Sequence, residues 1–119
     1  MNEKEVQQQI TQQFIDSDPT AITLIPHTRV KQSNGGWRAD AGTPRASQTF
    51  KLSPLTSALR PTVVIDGVER VADYMLIGPV DAVVQVGDTW TADDGRSFEV
   101  IRIEDGHGYE TLALAAAHG

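Results

Sequence analysis

The sequence contains no cysteine. Disulfides, thiolate nucleophiles and cysteine-ligated metal centres are therefore excluded. Histidine is scarce: His27, His107 and His118 are the only imidazoles, and none stands at ligand spacing from another. A zinc site needs three or four converging ligands, so these three read as surface residues. No apolar run is long enough to span a bilayer, and the polar, glutamine-rich first residues do not form a signal peptide. The expectation is a chain that neither spans a membrane nor is secreted by the usual route. Catalytic signatures are also missing. Gly-x-Ser-x-Gly, the Walker motif and the dinucleotide fingerprint are absent. Asp93-Asp94-Gly95 lacks the alternating oxygens and closing glutamate of a calcium loop and reads as a turn. Asp81 and Asp88 flank a predicted strand, but carboxylates work as a catalytic pair only across a cleft. The reading is of a non-enzyme with no cofactor, no metal and no small-molecule ligand.

Positive charge is in short supply. The net charge of −6 argues against nucleic-acid binding over the whole surface. It is unevenly spread. Arg29, Lys31, Arg38, Arg45, Lys51 and Arg60 face only Asp40 within residues 29–60, giving +5, and the remainder carries −11. Such asymmetry predicts that the basic segment faces something acidic. An acidic surface of this size also repels copies of itself, so the isolated chain is expected to be monomeric at low concentration. Trp37, Trp90, Tyr74 and Tyr109 could be stacking platforms of a small nucleic-acid-binding barrel. Basic residues do not interleave with them, however. Trp90, Tyr74 and Tyr109 fit core or interface positions, whereas Trp37 stands alone in a polar stretch.

What is present is a series of short β-rich runs cut by turns. Gly78-Pro79, Gly87-Asp88 and Asp94-Gly95 supply turn chemistry. Between and after them lie Val83, Val84, Val86, Trp90, Phe98, Val100, Ile101 and Ile103. This pattern predicts a small antiparallel sandwich or barrel. Ahead of it, residues 3–15 read as a helix with Val6, Ile10 and Phe14 in one narrow stripe. A free helix of that length is marginal, so it must dock on the barrel or on a neighbouring subunit. Asp16-Ser-Asp-Pro19 stops it.

Strands are predicted at Ala21 to Ile25, Thr28 to Gln32 and Gln48 to Leu52. A hairpin is predicted about Asp66-Gly67 with its second arm running to Ile77, and another at residues 89–92 and 96–104. The last strand is predicted at Tyr109 to Leu114, with Leu112 and Leu114 inward and Glu110 outward. Trp90 and Phe98 should be core. Ile101 and Ile103 are out of phase with Phe98 and Val100, so either a bulge shifts the strand or both faces are covered. Residues 33–47 form a long polar stretch, a loop or a protruding hairpin tipped by Asn34-Gly35. The chain thus reads as one mainly β domain over residues 1–119. It is a small antiparallel β-barrel (20–32 and 48–116) with an N-terminal helix (3–15) and a long internal loop (33–47).

Several stretches together carry a resemblance. They are Phe14-Ile-Asp-Ser-Asp-Pro19, Ile22-Thr-Leu-Ile-Pro26, Pro44-Arg-Ala-Ser-Gln-Thr-Phe-Lys-Leu52, Gly78-Pro-Val-Asp-Ala-Val-Val-Gln-Val-Gly-Asp88, Gly95-Arg-Ser-Phe-Glu-Val100 and Gly108-Tyr-Glu110. In order and spacing they resemble the head-to-tail stopper (head-closure, or head–tail connector) proteins of long-tailed siphophages, most closely those of actinobacterial phages. At Arg45-Ala46-Ser47 the family often has a proline-rich connector instead. The resemblance implies a structural virion protein of the phage neck, made in the host cytoplasm. It would form a sixfold or twelvefold ring below the portal and adaptor proteins, above the tail proteins, closing a channel that holds packaged double-stranded DNA. It implies a mobile channel loop, here Asn34, Gly35, Gly36, Trp37, Arg38 and Arg45. Candidate contacts with other subunits or partners are Val6, Ile10, Phe14, Ile101, Ile103, Asp93 and Asp94. A tail-completion or tail-terminator protein, or a nucleic-acid-binding small barrel, are the alternative readings.

Overall fold

The computed structural model describes residues 2–56, 60–65 and 67–117, without the side chains of Arg29, Trp37 and Ala39. Asp66 of the predicted hairpin turn and His118 lie outside the described residues.

Asn2 opens helix α1 (Glu3–Ser17) by accepting the Glu5 N–H at 2.8 Å, and Glu3 and Glu5 sit at the positive end of the helix dipole. The helix runs two residues past the predicted end and stops at Asp18, just before Pro19. It docks through Thr11 and Ile15, which are buried, not through the predicted stripe. Val6, Ile10 and Phe14 lie on the neighbouring face and stay 40%, 52% and 46% exposed. Two side-chain bonds pin the buried face to the far end of the chain: Thr11 Oγ1 to Glu110 and Gln8 Nε2 to the Gly108 carbonyl, both 3.3 Å. Ile15→Ala should therefore cost about 2–5 kcal/mol. Val6→Ser or Ile10→Ser should change the stability of the isolated chain by no more than about 0.5 kcal/mol. Urea denaturation checks both, and a large loss at Val6 or Ile10 would show that the stripe packs within the chain.

The strands are β1 (Thr20–Ile22), β2 (His27–Lys31), β3 (Trp37–Ala41), β4 (Gln48–Pro54), β5 (Thr62–Ile65), β6 (Val68–Val71), β7 (Tyr74–Gly78), β8 (Thr89–Thr91), β9 (Ser97–Glu104) and β10 (Thr111–Ala117). Six of them form one antiparallel sheet in the order β1-β4-β7-β10-β9-β8. One bridge between Ile25 and Thr89 brings its two edges together, making a nearly closed barrel. Inside it pack Ile22, Leu24, Phe50, Leu76, Trp90, Phe98, Val100, Ala113 and Ala115. Gly78 has no side chain because the Phe50 ring lies 2.7 Å from where a Cβ would be.

Strand β10 shows how the interior is filled. Its barrel face is Ala113 and Ala115, not the predicted Leu112 and Leu114. The aromatic rings of Phe50, Trp90 and Phe98 leave room only for small residues opposite. Leu114 is buried on the other face, in a second cluster with Ala72, Ile101 and Ala116. That cluster is covered by Leu55, Met75 and the inner face of the β5–β6 hairpin, Val63 and Ile65. Ile101 reaches it because the β9–β10 register jumps from Arg102 opposite Leu114 to Val100 opposite Ala115. A bulge and two covered faces therefore occur together. Ile101 is 2% exposed and is no contact surface, which corrects its expected role, whereas Ile103 remains 42% exposed.

Two further expectations are corrected. The arm after Gly67 does not continue to Ile77 but breaks at Ala72-Asp73. The Asp73 carboxylate takes the Arg60 guanidinium and the Ala117 N–H, and β7 then pairs with β4 and β10. Residues 79–88 form turns instead of a strand. There the Gln48 amide takes both backbone groups of Val83, at 2.7 and 2.9 Å, where a neighbouring strand would otherwise bind. Val80, Val83 and Val86 are left exposed.

Candidate assembly surfaces

Among the described residues strands β2 and β3 pair only with each other, from His27 opposite Ala41 to Lys31 opposite Trp37. Their turn is closed by Gly35 N–H to Gln32 O (3.0 Å), Gln32 N–H to Gly36 O (2.7 Å) and Gly36 N–H to Asn34 Oδ1 (2.9 Å). Gly35 sits at φ +87°, which a side chain would resist. The hairpin leaves the barrel body. The molecule measures 56 × 34 × 29 Å with a radius of gyration of 15.4 Å, against about 13.5 Å for a compact chain of this length.

The predicted long loop 33–47 is therefore three things: a turn, strand β3 and a return segment over residues 42–47. Asn34, Gly35 and Gly36 form the tip, and Trp37 and Arg38 begin β3. Arg45 belongs with none of them. It lies in the return segment, where its guanidinium grips the Asp88 carboxylate with Nε at 3.0 Å and Nη2 at 3.1 Å. Asp88 is 1% exposed and also accepts the Gln85 N–H. Those hydrogen bonds outweigh the desolvation of Arg45 and raise its pKa above the ordinary arginine value. The expectation of Arg45 as a channel-loop residue is corrected: it anchors the hairpin base. Around it, Arg45 N–H reaches Leu24 O (2.8 Å), Gly42 N–H reaches Pro26 O (2.7 Å), and His27 Nε2 meets Thr89 Oγ1 (2.8 Å).

Most of the basic segment is neutralised within the chain. Lys51 pairs with Asp18 at 3.3 Å and lies over the Phe14 ring, and Arg60 pairs with Asp73. Among the described residues Arg38 holds only Asp40, at 3.0 Å with both side chains well exposed. Lys31 makes no ion pair among the described residues. Asp93 and Asp94 are exposed on the β8–β9 turn. Asp94 accepts from the Arg96 backbone N–H and guanidinium, which holds its carboxyl below the usual carboxylate range. Asp93 has no ion-pair partner among the described residues.

The residue that sequence reading missed is Asp88. In the sequence it is half of a Gly-Asp turn and one of two carboxylates flanking a predicted strand, and nothing local announces that its carboxylate is buried. Among the described residues no three His, Asp or Glu side chains converge, and no helix is long and apolar enough to cross a membrane. No protein-family model matches the chain, and no curated protein matches it in sequence.

Proposed function

We propose that this chain is a head-to-tail stopper, a non-catalytic ring subunit of a phage neck. The observation that carries the reading is the β2–β3 hairpin. It projects from a small barrel, bears a polar tip flanked by Lys31 and Arg38, and occupies the segment that the resemblance assigns to the channel loop. Ordering a polar loop costs about 1–2 kcal/mol of backbone entropy per residue. Here the ladder between β2 and β3 and the Arg45–Asp88 anchor meet much of that cost within one subunit. Copies of the hairpin, each reaching across to the next subunit of a ring, then need only short contacts to narrow a channel. The exposed Val6, Ile10 and Phe14 stripe supplies an apolar face for the adaptor, the tail or a neighbouring copy.

The test is a phage carrying an amber codon in this gene. The expected lysate contains free tails and heads that package DNA and then lose it, and adding the purified protein restores joined, infectious particles. DNA-retaining heads attached to unfinished tails would replace this reading with a tail-completion or tail-terminator role. Wild-type particles would end it.

A further inference from the structure

The barrel seam opens on one side of its single bridge. Ile25 and Thr89 exchange both backbone hydrogen bonds, at 2.8 and 3.0 Å. On the β1 side of that bridge, β1 and β8 splay apart around an open cleft of roughly 330 Å³. Its floor is Ile22, Leu52 and Trp90, and its rim carries Asp93 and Asp94. On the other side of the bridge, His27 begins the hairpin. A chain's own hairpin thus leaves the seam at the end opposite its own cleft. Both features hold unpaired backbone: among the described residues β3 has a strand neighbour only in β2, and β8 has only β9 beyond the Thr89 bridge.

We propose that the cleft between β1 and β8 receives the hairpin tip of a second copy of this chain. The charges are complementary. The tip presents Lys31 and Arg38, the latter tied among the described residues only to an exposed Asp40, and the rim presents Asp93, which has no ion-pair partner among the described residues, beside Asp94. Free strand edges are the usual template for pairing with another chain, and charged rims set which chain fits. The contact joins two different patches of the same subunit, so it propagates from copy to copy and closes as a ring if the rotation allows. It deepens the stopper reading by naming the join between neighbours, and it stands or falls separately from it.

The lack of native cysteine permits a direct test on the full-length protein. Ser33→Cys at the tip and Thr91→Cys at the cleft are both at exposed positions, as is Gln13→Cys on α1. Equimolar Ser33→Cys and Thr91→Cys proteins, concentrated and mildly oxidised, should form mixed disulfide dimers at least five-fold faster than Ser33→Cys with Gln13→Cys. One chain carrying both Ser33→Cys and Thr91→Cys should give a ladder of oligomers. Adding Arg38→Glu to the tip protein should slow the reaction, and adding Asp93→Lys to the cleft protein should restore it. Equal rates for the two pairings, or a double variant that closes on itself as a monomer, would overturn the proposal. If neck rings assemble on heads while the Ser33–Thr91 disulfide fails to form in them, the cleft contact is wrong and the stopper reading survives. If the disulfide forms but virions lack the protein, the reverse holds.

Discussion

Replacing Phe98 with alanine should destabilise the protein by about 3–5 kcal/mol. The ring is 3% exposed and sits where three side chains meet. Trp90, directly opposite on β8, stacks on it with ring centres 5.1 Å apart, and Tyr74 meets it edge-on at 5.3 Å. Such aromatic pairs add about 0.5–1.5 kcal/mol each beyond the area they bury. The small residues on β10 cannot expand into the space the ring leaves, so the cavity persists. Total stability for a domain is about 5–15 kcal/mol, so the loss removes a large share of it. Trp90→Ala should cost a similar amount. The double variant should cost less than the two singles together, because the same stacking contact is lost in both. Thermal melting is the check, with a fall of more than about 10 °C expected for either single change. An unchanged transition would mean that these rings are not the centre of the barrel.

Arg45→Met should be as damaging, at about 3–5 kcal/mol, because it leaves the Asp88 carboxylate buried with no counter-charge. The Asp88 side chain is 2% exposed, so water cannot take over the two bonds that Arg45 supplies. Arg38→Met is the control. Its pair with Asp40 is exposed at 60% and 46%, and pairs of that kind contribute about 0–1 kcal/mol. Changing both partners, as in Arg45→Met with Asp88→Leu, should recover part of the loss but not all, since the Gln85 N–H then loses its acceptor. Urea titrations of the three variants decide the matter, and equal effects at Arg38 and Arg45 would contradict the assigned geometry. Charge reversals meant to probe contacts with DNA or a neighbour should therefore be made at Arg38 alone.

Local chemistry was readable and distant chemistry was not. Asp94-Gly95 announced the β8–β9 hairpin because a tight turn depends on the residues within it. Trp90 and Phe98 alternate with polar neighbours and are buried accordingly. The strand predicted through Val83 and Val86 fails because β propensity records what a residue tolerates, not whether a partner strand is there. Gln48, 35 residues away, supplied the bonds instead. Leu114 went to the unexpected face because the size of the rings opposite β10 decides which of its faces lines the barrel. Asp88 escaped notice because its burial depends on Arg45, 43 residues back along the chain. Among the surfaces, Asn34-Gly35 marked the hairpin tip, whereas the cleft between β1 and β8 depends on how far two strand edges splay and leaves no sequence trace.

The barrel is shut by a segment made early and used late. His27 leaves the ribosome 62 residues before Thr89, its partner across the seam. At about 5–20 residues per second that interval lasts roughly 3–12 s. Throughout it, Ile22 and Leu24 have no Trp90 or Phe98 to cover them, and the nascent chain carries an apolar edge that any similar edge on a neighbouring polysome can seize. Slowing translation between residues 31 and 89 should lengthen that exposure and lower the soluble yield, whereas slowing it before Ile22 is made should not.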